Sequence, residues 1–339
     1  MKIHPSYDTA YREHAKHVWA IVYRMTGSAQ DADDVVQDAF VRAMVRDPSA
    51  TSGQREVEAR APQATDLRPW LTRIAINAGI DLLRQRRRSA YIGPWLPEPF
   101  DTEDESSTPP EPGADCRYDL LESASFAFLV ALEALAPRAR AVLLLRDVFD
   151  YSVREVAETL AMSETHVKVT HHRARRIMAT YEADRCVPTR ELQERTRSVL
   201  ATLMAHLAAQ DVAGIERILA DGVRTLSDSA GEHLAARVPV VGRKKVATFW
   251  AKASAGKIAS EMDVRMLNGL PAVMLTFALP AGYSGRSAPR SVITMRLDAQ
   301  GLVREIHTIL ASRKLLRLFG GPAPDGAGVA RAEPELSKA

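Results

Sequence analysis

The 339 residues are too many for one ordinary domain and enough for two or three, each with its own core. Lys plus Arg number 45 against 42 Asp plus Glu, a formal charge of +3, so bulk charge excludes a polybasic chain and any nucleic-acid surface must come from local clustering. The two cysteines, Cys116 and Cys186, have no CxxC partner, no run approaches membrane-spanning length and the N-terminal residues lack a signal peptide's apolar core; the expectation is a cytoplasmic protein with no disulfide framework, metal, cofactor or membrane contact.

In chain order, residues 11–25 predict an amphipathic helix with Tyr11, Ala15, Val18, Trp19, Val22 and Met25 on one side, ending near Gly27. Ser28 followed by Asp31 resembles a capping box with Asp in place of Glu. It opens a helix whose Val35, Val36, Ala39, Phe40 and Ala43 face a core. The outer face is acidic, with Asp31, Asp34 and Asp38 on one edge and Asp33 and Gln37 on the next. That pattern fits complementation of the helix dipole or docking of a basic partner. Residues 47–66 lack periodicity and predict a loop.

Residues 67–88 predict a helix with two stripes. Leu67, Leu71, Ile74, Ala78 and Leu82 make the apolar one, and Arg73, Asn77, Asp81, Arg84 and Arg88 the polar one. Guanidiniums meet phosphates as paired donors and Asn can read a base edge, so the polar edge suits DNA; a solvated basic helix end is the plain alternative. Residues 97–115 hold seven acids, five prolines and no Lys or Arg, which predicts an extended linker. The large apolar Tyr91, Trp95 and Leu96 beside prolines imply that something covers them.

A second helical block spans residues 118–181. Pro137 fits a first helical position, Ser152 with Glu155 forms a capping box, and Ser163 caps the next helix after a three-residue turn. Val156, Ala157 and Leu160 of one short helix meet Val167, Ala174, Ile177 and Met178 of the next, the layout of a helix-turn-helix. Thr165, His166, Lys168, Thr170, His171, His172, Arg173, Arg175 and Arg176 are expected outward, with base-reading types first and cations toward the C-terminus. Beyond residue 195 come helices around Val199–Leu207, Val212–Leu219 and Val246–Ala253, then strands at 263–267, 272–278, 290–297 and 303–311, an α+β arrangement.

The ordered motifs DADDVVQDAFVRAM, WLTRIAINAGIDLLRQRRR, an acidic linker and PRARAVLLLRDVFDYSVREVAETLAMSETHVKVTHHRARRIM resemble regions 2 and 4 of the extracytoplasmic-function (ECF) sigma factors of bacterial RNA polymerase. The resemblance implies that Asp31, Asp33, Asp34, Gln37 and Asp38 dock on the polymerase β′ clamp helices. It implies that Arg73, Asn77, Asp81, Arg84 and Arg88 engage the −10 element. Ser163, Thr165, His166, Lys168, Thr170, His171, Arg173 and Arg176 would engage the −35 element. The third block resembles the SnoaL-like extension of some of these factors, a cone with a curved antiparallel sheet and a pocket, and the linker YIGPWLPEP is similar to theirs.

Their DGGGR-type loop corresponds to residues 228–232, matching at Asp228 and Gly231, and their NPDKL-type motif to residues 311–315, matching at Lys314 and Leu315. Tyr91, Trp95, Leu96, Asp228 and Gly231 are therefore the expected regulatory contact. The expected domains are region 2 at 7–90, a linker at 91–117, region 4 at 118–183, the SnoaL-like block at 195–319 and a disordered tail at 320–339. Expected partners are core polymerase (β′ clamp helices and β subunit), promoter DNA and a small pocket ligand, for a chain that is a monomer when free and not an enzyme. Two alternatives stay open. One is a ligand-responsive helix-turn-helix regulator; the other is a SnoaL-like enzyme fused to a DNA-binding module, with His233, Asp263, Glu305 and His307 as available acid–base groups.

Overall fold

The computed structural model describes residues 5–45, 67–89, 91–103, 117–278 and 286–321. The predicted loop at 47–66, residues 104–116 of the acidic linker and residues 322–339 of the tail lie outside the described residues. The chain forms two compact units. One comprises Met1–Ala90, Leu96–Arg197 and Met266–Pro271; the other comprises Tyr91–Trp95, Ser198–Arg265 and Ala272–Ala339.

The first unit begins with α1 (Pro5–Thr26), α2 (Ala29–Val45) and α3 (Leu67–Arg88). Val18, Ile21, Val22, Met25, Val36, Phe40, Leu71, Ile76 and Ile80 are buried in its core. On α3 the buried set is Leu71, Thr72, Ala75, Ile76, Gly79, Ile80 and Leu83. Ile74, Ala78 and Leu82 of the expected stripe lie at its margin, half-buried. The helix has neighbours on two sides, α1 and α2 and then the second helical block, so a band wider than one stripe is covered. Gly79 permits the close approach, since a Cβ there would lie 2.9 Å from the Met25 Cβ.

The second block contains α4 (Leu120–Ser123), α5 (Phe126–Leu132), α6 (Pro137–Asp147), α7 (Val153–Leu160) and α8 (Glu164–Glu182). Pro137 opens α6. Ser152 and Glu155 make both bonds of a capping box, and α7 ends on Ala161 in the left-handed region (φ 49°). Ser163 then accepts from the His166 amide. The two helical blocks share one core. Two buried guanidiniums tie them. Arg24 donates to Ser123 Oγ at 2.7 Å and Arg140 to Met25 O at 2.8 Å. Burial lowers each pKa to about 10, so both stay charged; the bonds of Arg140 to Met25 O and Leu132 O, at the ends of α1 and α5, set its positive charge against negative helix termini.

The rest of the chain folds as α9 (Arg190–Ala208), α10 (Val212–Ile218), β1 (Leu219–Asp228), β2 (Val240–Val241), α11 (Arg243–Ser254), β3 (Ala259–Leu267), β4 (Leu270–Phe277), β5 (Arg290–Leu297), β6 (Val303–Ile309) and α12 (Ser312–Leu315). The sheet order is β2-β1-β6-β5-β4-β3. This is the expected α+β class, with one difference. The β1–β6 pair is parallel, with Thr225 opposite Ile306, so the sheet is mixed. Strand β1 escapes the sequence reading because its Asp221-Gly222 pair mimics a turn, and its buried Thr225 and Ser227 interrupt the apolar alternation. Asn268 and Gly269, both with positive φ, make a two-residue turn, and β4 starts at once at Leu270 where a longer loop is expected.

In the second unit Leu200, Leu203, Ile215, Val223, Val246, Trp250, Ile293, Met295 and Ile306 form the core. Trp250 Nε1 donates to Thr225 Oγ1 at 3.3 Å on this side of the sheet.

Candidate nucleic-acid interface and linker site

Helix α8 has an inner face of Val167, Ala174 and Met178, while Ile177, expected on that face, lies about 100° round the helix from Met178 and is exposed. Beside it Asp147, buried at the end of α6, meets His171 Nε2 at 2.9 Å and Arg175 Nη2 at 2.6 Å. Burial works to raise this carboxyl, but the hydrogen bonds and charges of His171 and Arg175 outweigh it and the net shift is downward. His171 and Arg175, expected outward, are thus turned toward Asp147, because a buried carboxylate needs hydrogen-bond partners and a counter-charge, the latter from Arg175. Ser163, Thr165, His166, Lys168, Val169, His172, Arg173 and Arg176 are exposed, and Thr170 is half-buried.

On α3, Arg73, Asn77, Asp81, Arg84 and Arg88 all face solvent. Arg84 pairs with Asp81 at 3.1 Å, and Arg73 Nη2 donates to Glu158 O of α7 at 2.7 Å. The neighbouring arginines are structural: Arg86 donates to Thr26 O and to Glu133, and Arg87 to Leu135 O. On α2, Asp34, Gln37 and Asp38 are exposed while Asp31 and Asp33 are half-buried. Asp33 accepts from Trp19 Nε1 at 2.8 Å, and Ser28 caps the helix through the Asp31 amide at 3.1 Å.

The linker belongs to both units. Its Leu96–Phe100 part lies in the first, where the Glu98 carboxylate meets Ser28 Oγ and the Gln30 amide, both at 3.2 Å, at the N-terminus of α2. Phe100 packs edge-on to Tyr23 and Trp19, and Leu96 is fully buried. Asn268 completes this site. Its Nδ2 donates to Tyr23 Oη at 2.6 Å and to Ala124 O at 2.7 Å, its Oδ1 accepts from the Phe100 amide at 3.2 Å, and its own amide donates to Phe100 O.

The Tyr91–Trp95 part lies in the second unit. Tyr91 donates to buried Asp228, which also receives Lys314 Nζ at 2.7 Å. The same ammonium sits 4.5 Å from the Trp95 ring centre and 5.3 Å from that of Tyr91, a paired cation–π arrangement. Gly231 (φ 80°) abuts Ile92, and a Cβ there would come within 2.9 Å of its Cδ1. The structure therefore brings together four of the five expected contact residues, Tyr91, Trp95, Asp228 and Gly231, while Leu96 is buried in the other unit.

Comparison with known proteins follows the same division. Residues 10–89 match the Sigma-70 region 2 family and residues 125–178 the Sigma-70 region 4 family. The ECF RNA polymerase sigma factor SigJ of Mycobacterium tuberculosis is 31% identical over 241 residues, 69% of each chain. The chain belongs to the ECF RNA polymerase sigma factors. SigE of Mycolicibacterium smegmatis is 30% identical over 53% of this chain and 62% of its own. The crystal structure of M. tuberculosis SigJ aligns with a TM-score of 0.60 at 26% identity, covering 91% of this chain and 97% of that one, so the likeness extends through the α+β unit. As an ECF sigma factor the protein is a transcription initiation factor, and its partners are core RNA polymerase and promoter DNA. No described helix of this sigma factor is long and apolar enough to cross a membrane.

Three residues of the sigma factor carry more of the linker site than sequence reasoning assigns them: Glu98, Asn268 and Lys314. Lys314 has a sequence signal in its match to the NPDKL-type motif, and Asn268 has one only as the first residue of an Asn-Gly turn. The groups named for the enzyme alternative are dispersed. Glu305 and His307 pair at 3.3 Å with Arg224 2.6 Å from the carboxylate, but they alternate with core residue Ile306 and so occupy the opposite face of the sheet. Burial works to raise the Glu305 pKa, yet His307 and Arg224 hold it down at about 2. His233 meets Ser312, and Asp263 pairs with Arg265 on exposed β3.

Proposed function

We propose that this ECF sigma factor is regulated in cis by its SnoaL-like unit through the linker. The observation that carries the reading is the set Tyr91–Asp228–Lys314–Trp95, which commits the first part of the linker to the α+β unit by an ion pair, a hydrogen bond and two cation–π contacts. The next residues, through Glu98, cap α2. A linker held at both ends transmits any displacement of the α+β unit to the face carrying Asp31, Asp33, Asp34, Gln37 and Asp38. That face is the one we assign to the polymerase β′ clamp helices, with further contacts to the β subunit.

The edge Arg73, Asn77, Asp81, Arg84 and Arg88 is assigned to the −10 element. The exposed face of α8, with Ser163, Thr165, His166, Lys168, Arg173 and Arg176, is assigned to the −35 element; Thr170 and His171 flank it. The domain limits are those drawn from the sequence, 7–90, 118–183 and 195–319. The factor is a cytoplasmic monomer when free, the α+β unit works by position and not by turnover, and a small ligand in its interior is one means of displacing it.

Run-off transcription with purified core polymerase tests this reading, comparing the full chain, chains ending at residues 181 and 319, and Trp95→Ala. Initiation by the full chain, with output changed several-fold by Trp95→Ala and by the shorter truncation, is the expected result. Equal output from all four removes the regulatory proposal.

A further inference from the structure

The recognition helix carries an apolar residue where nothing in the fold needs one. Successive helix residues are about 100° apart, so Val167, His171, Ala174 and Met178 define the inward direction and Val169 points roughly opposite to it. Thr165, Arg173 and Arg176 lie within about 40° of the same line. Val169 is 43% exposed, and all three flanking side chains are exposed too. Lone exposed aliphatics are common on protein surfaces, but this one is centred on the face that the helix-turn-helix presents. A β-branched residue gains no helix propensity there, so local stability offers no reason for it.

The chemistry that fits is specific. Among the base edges of the major groove the C5-methyl of thymine is the apolar group; the other features are hydrogen-bond donors and acceptors. Thr165, one turn toward the N-terminus, supplies a hydroxyl for neighbouring edges, and Arg173 and Arg176, toward the C-terminus, supply phosphate contacts. His171 and Arg175 are occupied by Asp147, which fixes the rotation of the helix and keeps Val169 at the centre of the exposed face.

We propose that Val169 is a specificity-determining residue that reads a thymine methyl in the −35 element. The inference rests on the assignment of α8 to that element and adds the base feature that it selects.

A promoter library randomised at −35 is selected by run-off transcription with core polymerase and the full-length chain. Each thymine of the selected sequence is then replaced by deoxyuridine, which removes only the methyl. One such replacement lowers initiation about 3- to 10-fold, the scale of one buried methyl group. Val169→Ser transcribes the thymine and uracil templates equally, and Val169→Thr, which keeps one methyl, retains part of the preference. Selection without a thymine, silence of every uracil replacement, or an unaltered methyl preference in Val169→Ser overturns the proposal. No initiation from any member of the library removes instead the assignment of the chain's sigma activity on which it rests.

Discussion

At the scale of single residues, Asn268 shows how much one side chain can hold. Both Nδ2 donors, Oδ1 and the backbone amide are bonded, to Tyr23, Ala124 and Phe100, and the residue is buried with φ 53°. Asn→Ala there strips buried partners, at about 1–3 kcal/mol for each orphaned group, and puts alanine in a left-handed conformation that costs about 1 kcal/mol more. Asn268→Ala is expected to lower stability by about 3–5 kcal/mol in urea unfolding. Asn268→Gly, free of the backbone cost, is expected to lose about 1 kcal/mol less; a loss under about 1 kcal/mol for the alanine variant would show the bonds to be incidental. The sequence announces Asn268-Gly269 as a turn, since both residues tolerate positive φ, but it holds no record of where the amide goes. The partners Tyr23 and Ala124 are 245 and 144 residues away.

At the scale of elements, α1 and α3 meet the loop between α6 and α7 through a buried polar triangle. His17 Nε2 lies 3.2 Å from Thr72 Oγ1 and 3.3 Å from Tyr151 Oη, which are 2.8 Å from each other, and Phe149 stacks edge-on to the imidazole. The charged groups facing it are Arg68 of α3 and His14 and Arg24 of α1, with Glu155 of α7 beyond Tyr151. Burial first, then Arg68, His14 and Arg24, pushes the His17 pKa down to about 3. The packed state therefore binds fewer protons than the separated one. Its stability is complete above the ordinary value near 6.5 and declines as pH falls from there toward 3.

At pH 5 the penalty is roughly 2 kcal/mol. His17→Gln removes the titration, so the drop in melting temperature between pH 7.5 and 5 is expected to be several degrees smaller in the variant than in the parent. Identical drops would mean that other groups carry the acid response, among them the depressed carboxyls of Asp147 and Glu305.

At the scale of the whole molecule, the assigned DNA edges lie in one compact unit: Arg73 of the −10 edge donates to the Glu158 carbonyl of the helix-turn-helix. Promoter elements named −10 and −35 lie more than two helical turns apart, on the order of 70–80 Å. On the proposed assignments one unit in this arrangement cannot grip both, and initiation is expected to need α7 and α8 to leave α3. A short bismaleimide joining Arg73→Cys to Glu158→Cys, with Cys116 and Cys186 changed to Ser, is expected to abolish the run-off transcription that the uncrosslinked double variant retains after losing the Arg73 guanidinium. Full activity of the crosslinked protein would show that the packed unit already suffices.

The sequence by itself determined the helical blocks, the caps at Ser28, Ser152 and Ser163, the helix-turn-helix and the acidic and basic edges, because each is written in spacings of three or four residues. Only the tertiary structure decided which like residues turn inward: His171 and Arg175 toward Asp147, Arg86 toward Glu133, and Val169 left outside. The parallel pairing of β1 with β6 and the capping of α2 by Glu98, 70 residues from Ser28, were decided in the same way. Burial and partner choice depend on contacts between residues far apart in the chain, and local periodicity carries no information about those.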